Sequence, residues 1–471
     1  LIVSEPSSFA KNLFMKINLL LLLFLSLFAR AQQAELWITK SDQSILFQKQ
    51  VNKSVFVPLT NILPSIYVDD TKRFQTMDGF GYTLTGGSAQ LLARMNAADR
   101  TQLLQELFAI DQNNIGVSYL RISIGASDLS DHVFTYDDLP NGQTDPTLAR
   151  FSLAEEQKEL IPILKQILTI NPQIKFLGSP WTPPTWMKTN GASKGGSLKP
   201  EFYEVYARYL VKYIQEMKKE GIRIDAITVQ NEPLHPGNNP SLLMPQDEQA
   251  AFIRKSLGPA FTAAKVNTKI IIYDHNADRP DYPISILNDP EARKYIDGSA
   301  FHLYGGNVEA LNDVHEAHPD KNVYFTEQWI GAPANFGGDL LWHVKNLIIG
   351  ASKNWAKTVL EWNLAADPNQ KPFTDGGCTA CLGAVTIGET VSRNPAYYII
   401  AHASKFVRPG SVRIASNGTM SLPNVAFKTP TGQTVLIVMN ESDKPVEFNI
   451  RYKGKQSTSA LSAKTVATFI W

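Results

Sequence analysis

Between residues 79 and 362 the chain repeats one pattern: a short run of β-branched, aromatic or glycine residues, then a stretch whose apolar residues recur at helical spacing. The runs fall at 79–83, 117–124, 175–179, 226–230, 269–273, 298–302, 322–326 and 357–362. The amphipathic stretches between them include 98–108, 154–168, 201–219 and 340–351. Strands joined through helices pair in parallel, and parallel sheets are covered on both faces. Eight such units over this length predict an α/β fold of the (β/α)8 barrel type rather than an open doubly wound sheet. The nearest thing to a dinucleotide fingerprint, Gly79-Phe-Gly81, has Leu84 where the third glycine belongs, which disfavours a Rossmann reading.

The flanks read differently. Residues 35–68 hold short alternating runs such as Ser54-Val-Phe-Val-Pro58, and beyond Phe406 come further runs at 411–414, 425–428, 434–439, 446–450 and 465–471, separated by turns such as Thr431-Gly and Lys453-Gly. Strands without intervening helices predict an antiparallel sandwich, and the early ones are too few to stand alone. Both termini are therefore expected to build one accessory β-sandwich beside the barrel. The predicted division is an upstream segment and signal at 1–31, N-terminal sandwich strands at 35–70, the barrel at 71–405 and the C-terminal sandwich at 406–471.

Met15-Lys-Ile-Asn18, the apolar run from Leu19 to Phe28 and the Ala29-Arg-Ala31 pattern predict a secretory signal peptide cut after Ala31, with Met15 as the start. The expected location is secreted or periplasmic. No later stretch approaches ~20 apolar residues, so no stable membrane span is predicted. A formal net charge of +1 with dispersed Lys and Arg gives no footprint for nucleic acid and points to a neutral partner. Oligomeric state is not legible. Cys378 and Cys381, in a glycine-rich loop, are expected as a small loop clip or a free pair; two ligands are too few for structural zinc, and a redox motif belongs at a helix start.

Catalytic groups of a barrel sit at the C-terminal ends of its strands. Those ends carry Asp128, Trp181, Asn231 with Glu232, Asp274 with His275, His302 with Tyr304, Glu327, and Trp362 with Asn363. Glu232 closes the run Ile227-Thr-Val-Gln-Asn-Glu-Pro233, where Pro233 has no N–H to extend a ladder, and Glu327 closes Val323-Tyr-Phe-Thr-Glu327. Carboxyls at the ends of strands four and seven face each other across such a barrel, within the ~5–5.5 Å that supports double displacement at a glycosidic bond. Glu232 is then the acid/base and Glu327 the nucleophile, with Arg121 as the cation beside Glu327 and Asn231 as donor to a sugar 2-OH. A single strand-end glutamate is more often a cap or a surface ion-pair partner; two in matching context favour chemistry. Trp181 and Trp362 suit a core or a sugar platform alike. His275 and His302 read as hydrogen-bonded pocket residues, since no metal motif surrounds them, and neither metal nor cofactor is predicted. A non-catalytic carbohydrate-binding protein would keep the aromatics and lose a carboxylate, whereas both are present.

The stretches Asp78-Gly-Phe-Gly81, Arg121 to Asp128, Ser179-Pro-Trp-Thr-Pro-Pro-Thr-Trp186, Gln230-Asn-Glu-Pro233, Phe301-His-Leu-Tyr304, Phe325-Thr-Glu327 and Glu361-Trp-Asn-Leu364 together resemble glycoside hydrolase family 30, the family of lysosomal glucosylceramidase and of bacterial and fungal endo-β-1,6-glucanases. The resemblance implies a retaining mechanism on Glu232 and Glu327. It implies that Asp128, Trp181, Asn231 and Trp362 line the subsite for the non-reducing sugar, with Tyr304 and Arg121 near the nucleophile and His302 in the pocket. The sequence departs from glucosylceramidase at Leu303, at Gln328-Trp329 and over the loop from Phe373 to Cys381. The altered loop, with the predicted secretion, favours β-1,6-glucan as substrate, with glucosylceramide or an exo-cleaved glucoside or xyloside as the alternative.

Overall fold

The computed structural model describes residues 32–51, 53–417 and 421–471; the segment read as a signal peptide lies outside them. Eight parallel strands close into a barrel: β1 (Gly79–Leu84), β2 (Tyr119–Ile124), β3 (Lys175–Pro180), β4 (Ala226–Thr228), β5 (Lys269–Ala277), β6 (Ile296–Gly306), β7 (Asn322–Glu327) and β8 (Ala356–Asn363). β8 pairs with β1 and β4 with β5, so no barrel strand keeps an open edge.

Alternation along the strands decides what fills the barrel. Tyr119, Leu177, Ala226, Ile271, Ala300, Tyr324 and Leu360 form one buried apolar layer across seven strands. Two residues further along, at the same parity, stand Arg121, Ser179, Thr228, His302, Thr326 and Trp362, so the next layer toward the strand ends is mostly polar. β5 breaks the count. The register slips between Tyr273 and His275, and Tyr273 and Asp274 have φ of 72° and 64°. This bulge sends Tyr273 into the outer core and brings Asp274 into contact with Arg121 inside the barrel.

Most predicted helices appear, with two instructive differences. The helix expected at 154–168 begins at Leu160 and runs to Ile170. Pro162 explains the late start: without an N–H it is tolerated in a first turn but not in a helix interior. The segment expected at 340–351 is an α-helix, Phe336–His343, that continues in wider π-type turns over Val344–Ala351. No helix among the described residues is long and apolar enough to cross a membrane.

The accessory sheet has eleven strands and is built from both chain ends. Gln33–Lys40 pairs antiparallel with Thr465–Ile470, and Ser65–Thr76 lies between Val412–Asn417 and Val446–Tyr452. One strand, Lys455–Leu461, escaped the sequence reading, because KQSTSAL has little apolar alternation. The strand Thr434–Asn440 is buried on both faces. Leu436 and Val438 belong to the sandwich core, whereas Val435, Ile437 and Met439 belong to the barrel's outer core. Barrel and sandwich therefore share one hydrophobic seam. His402, on the helix Pro395–Ser404, pins it: Nδ1 lies 2.9 Å from Thr468 Oγ1 and Nε2 2.9 Å from Thr39 Oγ1.

Candidate active site

At the C-terminal end of the barrel a cavity of about 370 Å³ is lined by Asp128, Trp181, Asn231, Glu232, Tyr304, Glu327 and Trp362 among others. Seven of the nine predicted site residues are thus brought to one wall-to-wall space. Arg121 and His302 are fully buried and contact the two glutamates.

Glu232 sits just past the β4 ladder. The Asn231 N–H donates to Pro180 O at 2.8 Å and the Glu232 N–H to Asp274 O at 3.0 Å. Glu232 itself has φ 44°, a conformation that non-glycine residues adopt at a cost and only when neighbours impose it. Here the two neighbouring strands impose it. Glu327 ends β7 directly, and its carboxylate accepts from Arg121 Nη1 at 2.5 Å and from the Tyr304 hydroxyl at 2.9 Å. Oxygens of Glu232 and Glu327, with a ring nitrogen of His302, all lie within 4.8 Å of one another.

Arg121 is the hub beneath. Nη2 donates to Asp274 at 2.8 Å and to Asn231 Oδ1 at 2.5 Å, and Nε donates to Ser179 at 3.0 Å. Its guanidinium also lies 4.8 Å from the ring centroid of Trp181 and 5.6 Å from that of Trp362. The two indoles stack with centroids 5.5 Å apart. Since Asn231 spends its oxygen on Arg121, its amide N–H₂ is the group left for a ligand.

Asp274 receives Arg121, Thr228 (2.7 Å), Thr326 (2.7 Å) and His302 Nε2 (3.1 Å). Burial opposes its charge, but Arg121 and these donors hold it far below the usual carboxylate range. An acceptor-only Asp274 makes His302 Nε2 the donor. That fixes the other side of the ring: between His302 Nδ1 and Glu232 Oε1, 3.1 Å apart, there is room for one proton, on either atom. Burial works against a charged His302, yet Glu327, Asp274 and Glu232 together raise it to about 9. The same contact draws Glu232 below its ordinary value against burial, while burial pushes Glu327 up more than the His302 and Arg121 charges pull it down. Carboxylates this close bind a proton as a pair. Glu327 accepts from Arg121 and Tyr304 and lies 3.8 Å from His302 Nδ1, whereas Glu232, at 3.1 Å, is in hydrogen-bond contact with that ring nitrogen, which can accept as well as donate. The proton therefore rests on the Glu232–His302 side.

Asp128 is buried in the same pocket, where desolvation, then the Glu327 and Glu232 charges, raise it to about 7. Trp181 Nε1 and His275 Nδ1, both buried at the pocket, have no hydrogen-bond partner among the described residues. Burial lowers His275 to about 4, so it stands neutral. Cys378 and Cys381 are joined in a disulfide, and both line the cavity. The only metal-like cluster of His, Cys and acidic side chains among the described residues is Glu232–His302–Glu327, and its donor atoms are already engaged by Arg121, Tyr304 and one another.

Sequence reasoning did not assign Ser179, Thr228 or Thr326, which hold Asp274, nor Trp329, which lines the pocket beside Glu327. The first three carried a usable signal, since each is a polar residue two positions past an inward apolar one. Asp274 was marked by its place at a strand end, but the β5 bulge changes its parity, so its contact with Arg121 inside the barrel carried no signal.

A closed parallel barrel with two buried glutamates this close at its strand ends, one on a cation and one on a proton-sharing imidazole, is the architecture of a retaining glycoside hydrolase. The chain belongs to glycosyl hydrolase family 30: the family's TIM-barrel domain matches residues 77–407 and its beta sandwich domain residues 410–469. It is 33% identical to an endo-1,6-beta-D-glucanase of Aspergillus fumigatus over 434 residues, covering 86% of this chain and 87% of the relative. It is 30% identical to the lysosomal acid glucosylceramidase of Mus musculus, covering 85% and 82%. Among solved structures it resembles the endo-beta1,6-glucanase BT3312, with 36% identity, a TM-score of 0.86, and 93% and 99% of the two chains covered.

Proposed function

We propose that the protein is an endo-acting β-1,6-glucanase in which Glu327 attacks the anomeric carbon and Glu232 serves as acid and then base. The observation that carries this reading is the approach of Glu232, His302 and Glu327 within 4.8 Å, with Arg121 and Tyr304 both donating to Glu327. An inverting enzyme would need its carboxyls ~6.5–9.5 Å apart to admit a water.

In the first step Glu327 forms a bond to C1 as the C1–O bond breaks, and Glu232 gives its proton to the departing glycosidic oxygen. Glu327 loses its negative charge as the ester forms, and Glu232, having given up its proton, is left as a base. In the second step Glu232 takes a proton from water, the water oxygen bonds to C1, and Glu327 is released as a carboxylate. Asp128, Trp181, Asn231 and Trp362, lining the same pocket, hold the sugar, and the indole faces suit its apolar C–H surface.

Similarity to the fungal endo-1,6-beta-D-glucanase and to BT3312 supports a β-1,6-glucan substrate. Glucosylceramide is the second reading, favoured by the mouse relative. A product profile separates them. Incubated with β-1,6-glucan, β-1,3-glucan, glucosylceramide and an aryl β-glucoside, the mature enzyme is expected to give a ladder of short oligosaccharides from β-1,6-glucan alone, and its Glu327→Gln variant none. Glucose from glucosylceramide with the polymer untouched overturns the glucanase reading; near-normal turnover in the variant overturns the nucleophile assignment.

A further inference from the structure

The proposed reaction leaves the Cys378–Cys381 disulfide without a task, although it is built into the pocket wall. Closing a loop this short removes little entropy from the unfolded chain, so its effect is local. Three loops meet at it. Thr374 N donates to Asp128 O at 2.9 Å, the Thr374 hydroxyl to Asn239 O at 2.5 Å, and Asn239 Nδ2 to Asp375 O at 2.9 Å. On the other side, Cys381–Leu382 pairs antiparallel with Ile330–Gly331, just beyond Glu327. Gly377 passes so close to Asp128 that a Cβ there would lie 2.3 Å from its carbonyl oxygen. The Cys378 backbone N–H faces the Asp128 carboxylate and favours its charge. Cys381 itself packs in one buried cluster with Leu129, Trp181 and Trp362, against which Trp329 and Cys378 rest.

We propose that the Cys378–Cys381 disulfide is a positioning element for substrate binding: its closure holds Asp128 and the Trp181–Trp362 pair in the geometry that receives the sugar, and its reduction weakens binding while leaving the Glu232–Glu327 chemistry intact. The inference rests on the glucanase reading, in which Asp128 touches substrate. Cys378 is half-buried beside exposed Asp375, Gly376 and Thr379, within reach of a small dithiol. A dithiol thiolate attacks one sulfur, the S–S bond breaks to a mixed disulfide, and the second thiol displaces it; the protein gains two thiols and the reagent is oxidised to its cyclic disulfide.

The test compares the thermal midpoint, and kcat and KM on soluble β-1,6-glucan, for the oxidised enzyme, after dithiothreitol, after reoxidation, and for C378S/C381S. The expected result is a KM raised roughly tenfold with kcat kept within about twofold, restored on reoxidation and mimicked by the double variant, which no longer responds to dithiothreitol. A lowered thermal midpoint with unchanged KM would mean a structural staple and overturn the proposal, as would a fall in kcat at constant KM. If the oxidised enzyme cleaves no β-1,6-glucan, the glucanase reading falls and takes this inference with it; activity with a redox-insensitive KM overturns the inference alone.

Discussion

Replacing His402 by glutamine should change how stability depends on pH more than it changes stability at neutrality. The imidazole is fully buried, and its tautomer is set by its partners. Thr468 donates its hydroxyl proton to His402 O at 3.0 Å, so it can only accept from Nδ1–H. Thr39 accepts from the Phe47 N–H at 3.0 Å and is left to donate to Nε2. A second ring proton has nowhere to go, and burial without any countercharge lowers His402 to about 3. The unfolded chain takes that proton at its ordinary value, 6.5. Because the folded pKa is depressed, the contribution is complete above the unfolded value and is lost as pH falls through it. Protonation of the unfolded state alone then costs about 2 kcal/mol at pH 5 and about 3.4 kcal/mol at pH 4. Glutamine can donate to one threonine and accept from the other without titrating. Urea unfolding of both proteins at pH 7, 5 and 4 checks this: the variant should start below the wild type by about 1 kcal/mol and lose ground more slowly in acid, by those increments. Parallel losses in the two proteins would refute the argument, because they would mean that His402 is protonated in the folded state or never changes charge.

Two further substitutions probe the pocket. Arg121→Lys replaces a fork that reaches Glu327, Asp274, Asn231 and Ser179 with one ammonium, leaving buried acceptors unmatched. It should lower kcat/KM by at least ~100-fold and cost about 3–5 kcal/mol of stability in urea, and near-wild-type values in both would sink the hub assignment. Asp128→Asn should remove an inflection near pH 7 from the kcat/KM profile, since burial and the Glu327 and Glu232 charges raise this carboxyl to about 7. The sign for stability is the opposite of that for His402: the folded protein holds a proton the unfolded chain releases, so the wild type gains on the variant as pH falls from 7 toward 4. An inflection that persists in the variant belongs to another group.

The barrel was legible because its signal is redundant. Eight strand–helix units each carry a period of two or of three to four, and one poor boundary, such as the late start forced by Pro162, leaves the count unchanged. Glu232 and Glu327 were legible because each ends a strand-forming run, so their location follows from where the ladder stops. The wiring beneath them was not. That Asn231, read as a donor to substrate, is aimed by an oxygen tied to Arg121 had no sequence signal, and Asp274 meets Arg121, Thr228, Thr326 and His302 only because a bulge reverses its side of β5. The pairing of Cys378 with Cys381 stayed open because spacing permits both a bond and a free pair; the fold closes it against the pocket indoles.

The pairing of Gln33–Lys40 with Thr465–Ile470 bears on how the protein comes into being. At roughly 5–20 residues per second, the partner of this early strand leaves the ribosome about 20 to 90 seconds later. Until then a half-made sheet shows an unsatisfied rim and the oily side of its future seam, the kind of surface that strands of other molecules join. Production in a host without ample holdase capacity should therefore fail by aggregation of nascent chains rather than by instability of the finished enzyme, and slower synthesis should make it worse.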